Sequence, residues 1–330
     1  PVVLLLLIDM LRYRIEGRRD VESLTKLPIL ADIPVSKVLD KKRDQRAIVV
    51  RENFNDVIEE AFRGLRTSIG FVLKPGEKVI MTTSCIPGEG KTFVAANLAM
   101  SLALLGKKVL LLDADPQANA TSGLGFDIDL EGIYECIVGE KRAEEVILQS
   151  PDIKKLWLLP SSIQLVAADT ELPKMENAHF VMKNIIDQIR DKYDYIFIDC
   201  SPSLGYTTVN ILTAADTVLI PVQCEYLALE GLSKLLNTIK IVQNGLNPDL
   251  DIEGFVLTMY MRNRLNNQVA TEVREHFGEL AFDTVIQRNI RLGEAPSHGK
   301  PVMLYDAAAT GAVNYLNLAK EFLKRNRKAK

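Results

Sequence analysis

The segment SCIPGEGKTF, residues 84–93, has the residue types of a phosphate-binding loop. It follows the apolar run KVIMTTS at 78–84 and leads into a stretch of helical character. Gly88 and Gly90 let the backbone turn so that N–H groups face phosphate oxygens, and the positive end of the following helix adds to the attraction. A strand, a glycine-rich turn and a helix in this order predict that the chain binds a nucleotide.

Two side chains at the end of this loop have the chemistry that a nucleoside triphosphate requires. Lys91 is expected to neutralise the β- and γ-phosphates, and the Thr92 hydroxyl is expected to bind Mg²⁺. ATP and Mg²⁺ are therefore the predicted cofactors. The predicted ATP-binding residues are Pro87, Gly88, Glu89, Gly90, Lys91, Thr92 and Phe93.

Three carboxylates follow apolar runs further along the chain. Asp113 and Asp115 stand in LLLDADPQANAT, and Asp199 stands in YDYIFIDC. Acidic side chains beside a phosphate loop can orient the attacking water or approach the metal ion. Asp113 and Asp115 alternate on a strand tip, so one is expected to face the phosphates while its neighbour braces the turn. The predicted catalytic residues are Lys91, Asp113 and Asp115, and the predicted Mg²⁺ ligands are Thr92 and Asp199.

The elements that must position these residues alternate between short apolar runs and amphipathic stretches. This alternation predicts an α/β fold, a doubly wound and mostly parallel sheet flanked by helices, because strands that are apolar throughout are buried on both faces. In such a sheet a ligand lies beyond the carboxyl ends of the strands, where the predicted site residues stand. The predicted strands are residues 78–84, 107–115, 156–161, 193–200, 216–223 and 253–261, and the helical stretches include 91–106, 177–193 and 229–245.

The first 73 residues differ in character from this α/β pattern. An apolar run of eight residues precedes four arginines between positions 12 and 19, which favours the end of a truncated transmembrane helix over a short buried strand or helix. Further on, a predicted helix carries a charged stripe formed by Glu60, Arg63 and Arg66. This stripe is either solvated or a contact for oligomerisation. The predicted organisation is 1–19 as helix end and basic flank, 20–52 as linker and 53–330 as ATPase domain, with the oligomerisation-type helix at 53–73 and the nucleotide-binding core at 78–330.

The composition of the 330 residues argues against a disulfide-stabilised protein and against a zinc protein. The four cysteines and three histidines are scattered, so neither a disulfide framework nor a zinc site is indicated, and a reducing compartment is favoured. Residues 1–52 and 255–330 carry net positive charge around an acidic middle. Basic ends suggest anionic partners or surfaces, with ordinary solvated charge as the alternative.

From about Lys107 onward the sequence resembles the ParA/Soj partition ATPases of bacterial chromosomes and plasmids. The segments that carry the resemblance are GKKVLLLDADPQANATSGLG, YDYIFIDCSPSLG, PVQCEYLALEGLSKLLNTI and VIQRNIRLGEAPSHGKPVMLYD. The resemblance implies an ATPase that binds Mg-ATP, forms an ATP-dependent dimer, binds DNA without sequence preference and responds to a ParB-like centromere-binding partner. It also implies a cytoplasmic, nucleoid-associated location.

The same resemblance assigns DNA binding to arginines in two loops. These are Arg262 or Arg264 in MYMRNRLNNQ, and Arg288 or Arg291 in QRNIRLGEAP. Dispersed arginines that neutralise phosphates give binding that is independent of sequence and sensitive to salt. Ordinary surface charge is the alternative reading of these residues.

Residues 1–106 resemble a different group, the bacterial tyrosine autokinases fused to chain-length determinants of exopolysaccharide export. The resemblance rests on LLLLIDMLRYRIEGRRDVESLTKLPILADIP, on NDVIEEAFRGLRTSI and on the form of the phosphate loop. In that group the stripe of Glu60, Arg63 and Arg66 joins subunits into a ring. Both groups belong to the deviant-Walker, MinD/ParA-like P-loop ATPases, so the chain reads as a hybrid of the two.

Two departures from these families rank the functional hypotheses. Ile86 stands where partition ATPases have a lysine that reaches across the dimer, and no tyrosine follows Tyr315 to serve as the autokinases' own substrate. The leading hypothesis is a ParA/MinD-like ATPase with Mg-ATP-dependent self-association and nonspecific DNA binding. The alternatives are an autokinase at the inner membrane that regulates exopolysaccharide chain length, and a nucleotide-binding scaffold that hydrolyses ATP poorly.

Overall fold

The structure, a computed structural model, describes residues 78–84, 88–203 and 205–328. The predicted membrane-helix end, linker and 53–73 helix, with Glu60, Arg63 and Arg66, lie outside these residues, as do Cys85, Ile86 and Pro87. Within the described ranges, no helix combines the length and the hydropathy needed to span a bilayer.

A seven-stranded sheet forms the centre of the part of the chain that the structure describes. Its order is β3-β4-β2-β5-β1-β6-β7, and every pairing is parallel except β3 with β4. The mostly parallel α/β sheet predicted from the sequence is therefore confirmed. The strands are β1 Val79–Thr82, β2 Val109–Ala114, β3 Leu148–Gln149, β4 Leu156–Leu159, β5 Tyr195–Cys200, β6 Thr217–Gln223 and β7 Asp251–Thr258.

Helices cover both faces of this sheet, as parallel strands that are apolar throughout require. The long helices are α1, α7, α8, α9 and α12, and each of the others has one or two turns. Their bounds are α1 Lys91–Leu104, α2 Asn119–Gly123, α3 Ile133–Ile137, α4 Ala143–Val146, α5 Ala168–Glu171, α6 Val181–Asp187, α7 Tyr206–Ala214, α8 Tyr226–Gly245, α9 Arg264–Phe277, α10 Ile290–Glu294, α11 Val302–Tyr305 and α12 Thr310–Lys328.

Successive strand residues point to opposite faces, so the sheet has two hydrophobic cores. On one face, Ile80 and Phe197 pack with residues of α1 and α12, including Leu98 and Phe322. On the other face, Met81 and its neighbours pack with residues of α6, α7, α8 and α9. These two cores hold the strand ends, and the polar residues that follow them, in fixed positions.

The start of β1, the strand that leads into the phosphate loop, is fixed by one carboxylate. Asp216 Oδ2 accepts hydrogen bonds from the backbone N–H groups of Lys78 at 2.7 Å and Val79 at 2.8 Å. Arg190 Nη2 donates to the same carboxylate at 3.0 Å and 3.1 Å. The network anchors β1 at the end opposite to the loop.

Two predicted elements differ from the structure. The stretch 177–193 is helical only in α6, because Asn177 adopts a left-handed backbone with φ 54° and a separate 3₁₀ turn, Arg190–Lys192, follows. The strand predicted to reach residue 261 ends at Thr258, where Met259 enters the left-handed region with φ 51°. Asn177 lies ahead of the start of α6, whereas Met259 directly follows the last residue of β7.

Candidate functional site

The glycine turn after β1 has the backbone geometry of an anion site. Gly88 and Gly90 have φ of 92° and 82°, a conformation that side chains rarely allow. Gly90 caps the 14-residue helix α1, and no acidic residue stands in the first turn of that helix. The N–H groups and positive end of α1 therefore remain available to a phosphate.

Lys91 is held by a carboxylate at this turn. Its Nζ lies 3.3 Å from Asp115 Oδ2, and the two side chains are only 12% and 5% exposed. The other oxygen of Asp115, Oδ1, accepts a hydrogen bond from Gln117 N at 3.0 Å. Asp115 is thus the member of the Asp113–Asp115 pair that faces the phosphate loop.

Asp113 has the bracing role in this pair. It is fully buried, and its Oδ2 accepts two hydrogen bonds of 2.8 Å from Thr121, one from the N–H and one from the hydroxyl. Its Oδ1 accepts from Asp115 N at 3.1 Å. Burial raises the pKa of Asp113 to about 6, although the hydrogen bonds from Thr121 and from Asp115 oppose this.

Asp199 contrasts with Asp113 on the neighbouring strand. It lies in register with Asp113 on β2 and with Thr82 on β1. Neither of its carboxylate oxygens has a hydrogen-bond partner among the described residues, and the Thr82 hydroxyl is likewise buried without one. Burial, followed by the charge of Asp113, raises the pKa of Asp199 to about 8, although the charge of Lys91 and the nearby hydroxyl of Thr92 oppose this shift. We refer to Asp113, Asp115, Asp199 and Lys91 as the acidic edge.

The buried and unpartnered carboxylate of Asp199 fits a cation. A buried charge without a partner is costly, and a positively charged ion would remove that cost. In the described ranges, no group of three or more acidic, cysteine or histidine side chains forms a metal cage. Mg²⁺ is usually held by one or two protein groups together with substrate phosphates and water.

A cavity of about 350 Å³ opens beside the phosphate loop. Asn97 closes one side of it, since its Nδ2 donates to Phe93 O at 2.9 Å and its Oδ1 accepts from Val302 N at 3.1 Å. Such a volume is in the range of small-ligand sites. The lining includes the predicted Gly88, Gly90, Lys91, Thr92 and Phe93, together with Ala96, Asn97, Asn119, Ser122, Gly123, Leu292, Ala295, Pro296, Lys300, Pro301 and Val302.

A larger groove of about 470 Å³ lies between α8 and α9. Its lining, which includes Leu232, Glu272 and Phe277, contains none of the predicted nucleotide-binding residues. Of these two cavities, the glycine turn and Lys91 line only the smaller one.

A second polar region begins where β7 ends. The Thr258 hydroxyl donates to the carbonyl of Glu89 in the phosphate loop at 2.9 Å. Two residues later, Tyr260 N donates to Ile286 O and Arg288 N donates to Tyr260 O, each at 3.0 Å. This pairing brings together the segments 260–264 and 286–291, which we call the arginine loops.

The four predicted DNA-binding arginines lie on these segments and are exposed. Arg262 and Arg288 stand in irregular backbone, Arg264 is the first residue of α9, and Arg291 lies within α10. Arg291 forms ion pairs with Glu294 at 2.7 Å and with Asp306 at 3.4 Å. In the part of the chain that the structure describes, Arg262, Arg264 and Arg288 form no ion pair within 4.0 Å. The loops therefore place three uncompensated positive charges and one partly neutralised charge on the surface.

Sequence reasoning missed several residues that support the site. Thr258 and Asn97 are uncharged and act through contacts that are distant in the chain, so no local pattern marks them. Thr121 contacts Asp113, eight residues earlier, but its uncharged side chain gave no sign of that role. The cavity wall at 295–302 had a visible signal, the turn-forming segment APSHGKPV. Of the predicted nucleotide-site residues, Pro87 lies outside the described residues.

Taken together, the sheet, the glycine turn after β1 and the acid at the end of the adjacent β5 define a P-loop ATPase of the MinD/ParA structural type. A family model described as an AAA domain matches residues 77–252. The sporulation initiation inhibitor protein Soj of Bacillus subtilis (strain 168) is 49% identical over 247 residues, which make up 74% of this chain and 97% of that protein. The chain therefore belongs to the ParA/Soj family of chromosome-partitioning ATPases.

Solved structures agree with this assignment. Cobyrinic acid a,c-diamide synthase from Mycobacterium smegmatis, with bound ADP and magnesium, has a TM-score of 0.67 and 29% identity, covering 77% of this chain and 96% of that chain. The cell division ATPase MinD from Pyrococcus furiosus has a TM-score of 0.65 and 27% identity, covering 76% and 100%. The expected partition-ATPase resemblance is confirmed, whereas none of these similarities supports the tyrosine-autokinase resemblance of residues 1–106.

Proposed function

We propose that this protein is a ParA/MinD-like ATPase whose Mg-ATP-bound form self-associates and binds DNA without sequence preference, as in chromosome or plasmid partition. The observation that carries the nucleotide part is the unpartnered, buried carboxylate of Asp199 beside the Lys91 loop. A polar group that is buried without a partner in a folded protein calls for a ligand. A nucleoid-associated location and a ParB-like partner belong to the same proposal.

The chain's own groups provide most of what phosphate binding needs. The N–H groups of the glycine turn and of the first turn of α1 bind phosphate oxygens, and Lys91 neutralises the terminal phosphates. The adenosine part of ATP occupies the 350 Å³ cavity, between Phe93 on α1 and the segment at 295–302. Catalysis in this arrangement is electrostatic positioning with little covalent chemistry by side chains.

The metal site of the proposal consists of Thr92 and Asp199. Mg²⁺, when bound there, supplies positive charge that offsets the charge of the phosphates. Asp199 provides a carboxylate that has no other use among the described residues. Thr92 provides a hydroxyl at the second position of α1.

Asp115 is the group best placed to orient the attacking water. In the structure its carboxylate holds the Lys91 ammonium at 3.3 Å. A phosphate that attracts Lys91 would leave Asp115 free to accept a hydrogen bond from water, so substrate binding itself prepares this carboxylate. Asp113, whose three hydrogen bonds are all used in bracing the turn, positions Asp115 and does not contact the water in this proposal.

DNA binding in the proposal belongs to the arginine loops. Their charges are spread over two segments, which suits contact with phosphate backbones more than the reading of bases. The hydrogen bond between Thr258 and Glu89 links the base of these loops to the phosphate loop. This link supports a dependence of DNA binding on nucleotide.

The test is the binding of random duplex DNA by the whole protein, with and without Mg-ATP, at low and moderate salt. We expect binding that requires ATP and that weakens steeply as salt rises. A protein that hydrolyses ATP but binds DNA equally well without it would refute the nucleotide dependence. Phosphotyrosine on the purified protein, without ATP-dependent DNA binding, would favour the autokinase alternative.

The autokinase alternative is weaker on the present observations. Tyr315 is 1% exposed, so its hydroxyl is not accessible as an acceptor for phosphorylation. The poorly hydrolysing scaffold depends on Ile86, which lies outside the described residues. For that alternative the variant is Ile86→Lys: a marked rise in ATP turnover would support it, and an unchanged rate would refute it.

A further inference from the structure

Thr121 lies on the short helix α2, at the centre of the contacts that hold the acidic edge together. The residue is fully buried. Its N–H and its hydroxyl both donate to Asp113 Oδ2 at 2.8 Å. Its hydroxyl oxygen also accepts a hydrogen bond from Ser161 N, just beyond the end of β4, at 3.1 Å. The side chain therefore links the end of β2, eight residues earlier, to the segment after β4, which is 40 residues further along the chain.

The contacts continue from Asp113 to the group that faces the phosphates. Asp113 Oδ1 accepts a hydrogen bond from Asp115 N at 3.1 Å, and Asp115 Oδ2 lies 3.3 Å from Lys91 Nζ. A rotation of the Asp113 carboxylate would change the backbone position of Asp115. Two donors on one oxygen oppose such a rotation, and both come from Thr121.

We propose that Thr121 is a positioning residue for ATP hydrolysis, which fixes the Asp113 carboxylate so that Asp115 keeps its place beside Lys91. The inference rests on the proposed ATPase function and extends it to a residue that contacts neither nucleotide nor metal. Thr121 acts through Asp113, and its hydroxyl is the part of the side chain that matters. A serine at this position keeps that hydroxyl, and a valine keeps the shape without it.

The test compares Thr121→Val with Thr121→Ser in steady-state ATP hydrolysis by the whole protein with Mg²⁺. We expect Thr121→Val to lower kcat about 10- to 100-fold, the effect of losing a hydrogen bond to a charged group, with KM for ATP changed less than about twofold. Thr121→Ser should restore most of kcat. A merely structural role predicts no such separation of kcat from KM.

Thr213→Val provides the matched control. Thr213 is 2% exposed and its hydroxyl donates only to Val209 O, within α7, at 2.8 Å. This variant also exchanges a buried hydroxyl for a methyl group, but far from Asp113 in the hydrogen-bond network, and its kcat should match that of the unaltered protein. If Thr121→Val fails to fold, Thr121→Ala against Thr121→Ser makes the same comparison.

Several outcomes would overturn the inference. One is a kcat for Thr121→Val equal to that of Thr213→Val, another is a Thr121→Ser protein as slow as Thr121→Val, and a third is a loss confined to KM. Unaltered protein that does not hydrolyse ATP would refute the ATPase proposal and this inference together. Active unaltered protein with an unaffected Thr121→Val would refute only the role of Thr121.

Discussion

The acidic edge and the arginine loops are both charged, and both lie near the carboxyl ends of parallel strands, but they differ in burial. At the acidic edge, burial makes every unpaired oxygen costly, so the contacts of each carboxylate indicate its use. Asp113 has three donors and Asp199 has none among the described residues. On the arginine loops, water satisfies the side chains, so geometry alone does not distinguish a binding residue from a solvated one.

The largest effect expected from this comparison is at Lys91. Lys91→Ala removes the cation from the phosphate loop and leaves the buried Asp115 without its ion pair. We expect ATP hydrolysis to fall by about 100-fold or more, as when a preorganised charge-stabilising group is lost. The measurement is phosphate release under saturating Mg-ATP.

Lys155→Ala is the control for Lys91→Ala. Lys155 is an exposed lysine whose Nζ donates to Gly106 O at 2.7 Å. Its removal should leave hydrolysis unchanged. Equal activity losses in the two variants would contradict the special position of Lys91.

The next effect concerns stability and pH in the absence of nucleotide and metal. The pKa of Asp199 is about 8 in the folded protein, against an ordinary value of 3.8. Between about pH 4 and about pH 8 the folded state therefore holds a proton that the unfolded state releases. The free energy of unfolding falls as pH rises through this range. Asp199→Asn should flatten this part of the pH–stability profile, measured by thermal unfolding in a chelator.

Asp216→Asn is the matched contrast, because Asp216 is a carboxylate with a full set of donors. It accepts from Lys78 N, Val79 N and Arg190. Its replacement should lower stability by about 1.5–3 kcal/mol, the cost of lost hydrogen bonds to a charged group. A loss of stability of the same size and pH dependence in both variants would refute the distinction between satisfied and unsatisfied carboxylates.

A smaller effect is expected on the arginine loops. Arg288→Ala removes an exposed charge that has no ion pair in the described part of the chain. If Arg288 contacts a phosphate, binding should weaken about equally on all DNA sequences, and the slope of log affinity against log salt should fall by about 1. The assay is binding of random duplex DNA at several salt concentrations.

The smallest effect is expected at Arg291. Glu294 and Asp306 already neutralise part of its charge, at 2.7 Å and 3.4 Å. Arg291→Ala should therefore change the salt slope by less than half as much as Arg288→Ala. A larger loss with Arg291→Ala would show that the two acids release this arginine when DNA binds.

The same contrast explains how much the sequence could predict. The strands, the glycine turn and the aspartates at strand ends follow local patterns, so the fold and the placement of Lys91, Asp115 and Asp199 could be anticipated. The division of roles between Asp113 and Asp115 could not, because it depends on Thr121 and Ser161, which meet only in three dimensions. The lack of partners at Asp199 is equally a property of the folded structure.

On the arginine loops, the sequence predicted the residue types but not their neighbours. The ion pair of Arg291 with Glu294 is a local contact within α10, but the pair with Asp306 depends on how α10 and the segment after α11 pack. The end of β7 at Thr258 likewise depends on the left-handed Met259, and methionine carries no signal for that conformation. Local composition is therefore a poor guide to which of these charges are available.

The junction at Thr258 sets a limit on how freely the loop sequence can be exchanged. A graft that begins at Arg262 leaves the bonds of Thr258 with Glu89 and of Tyr260 with the neighbouring loop in place. A graft that begins at Thr258 removes the hydroxyl that holds the phosphate loop, together with the left-handed residue that turns the chain. New surface specificities can therefore be built at the exposed Arg262 and Arg264. The three residues before Met261 hold the phosphate loop and the turn, and the buried Asn266 must also be kept, because its side chain accepts from Met261 N and donates to Cys224 O.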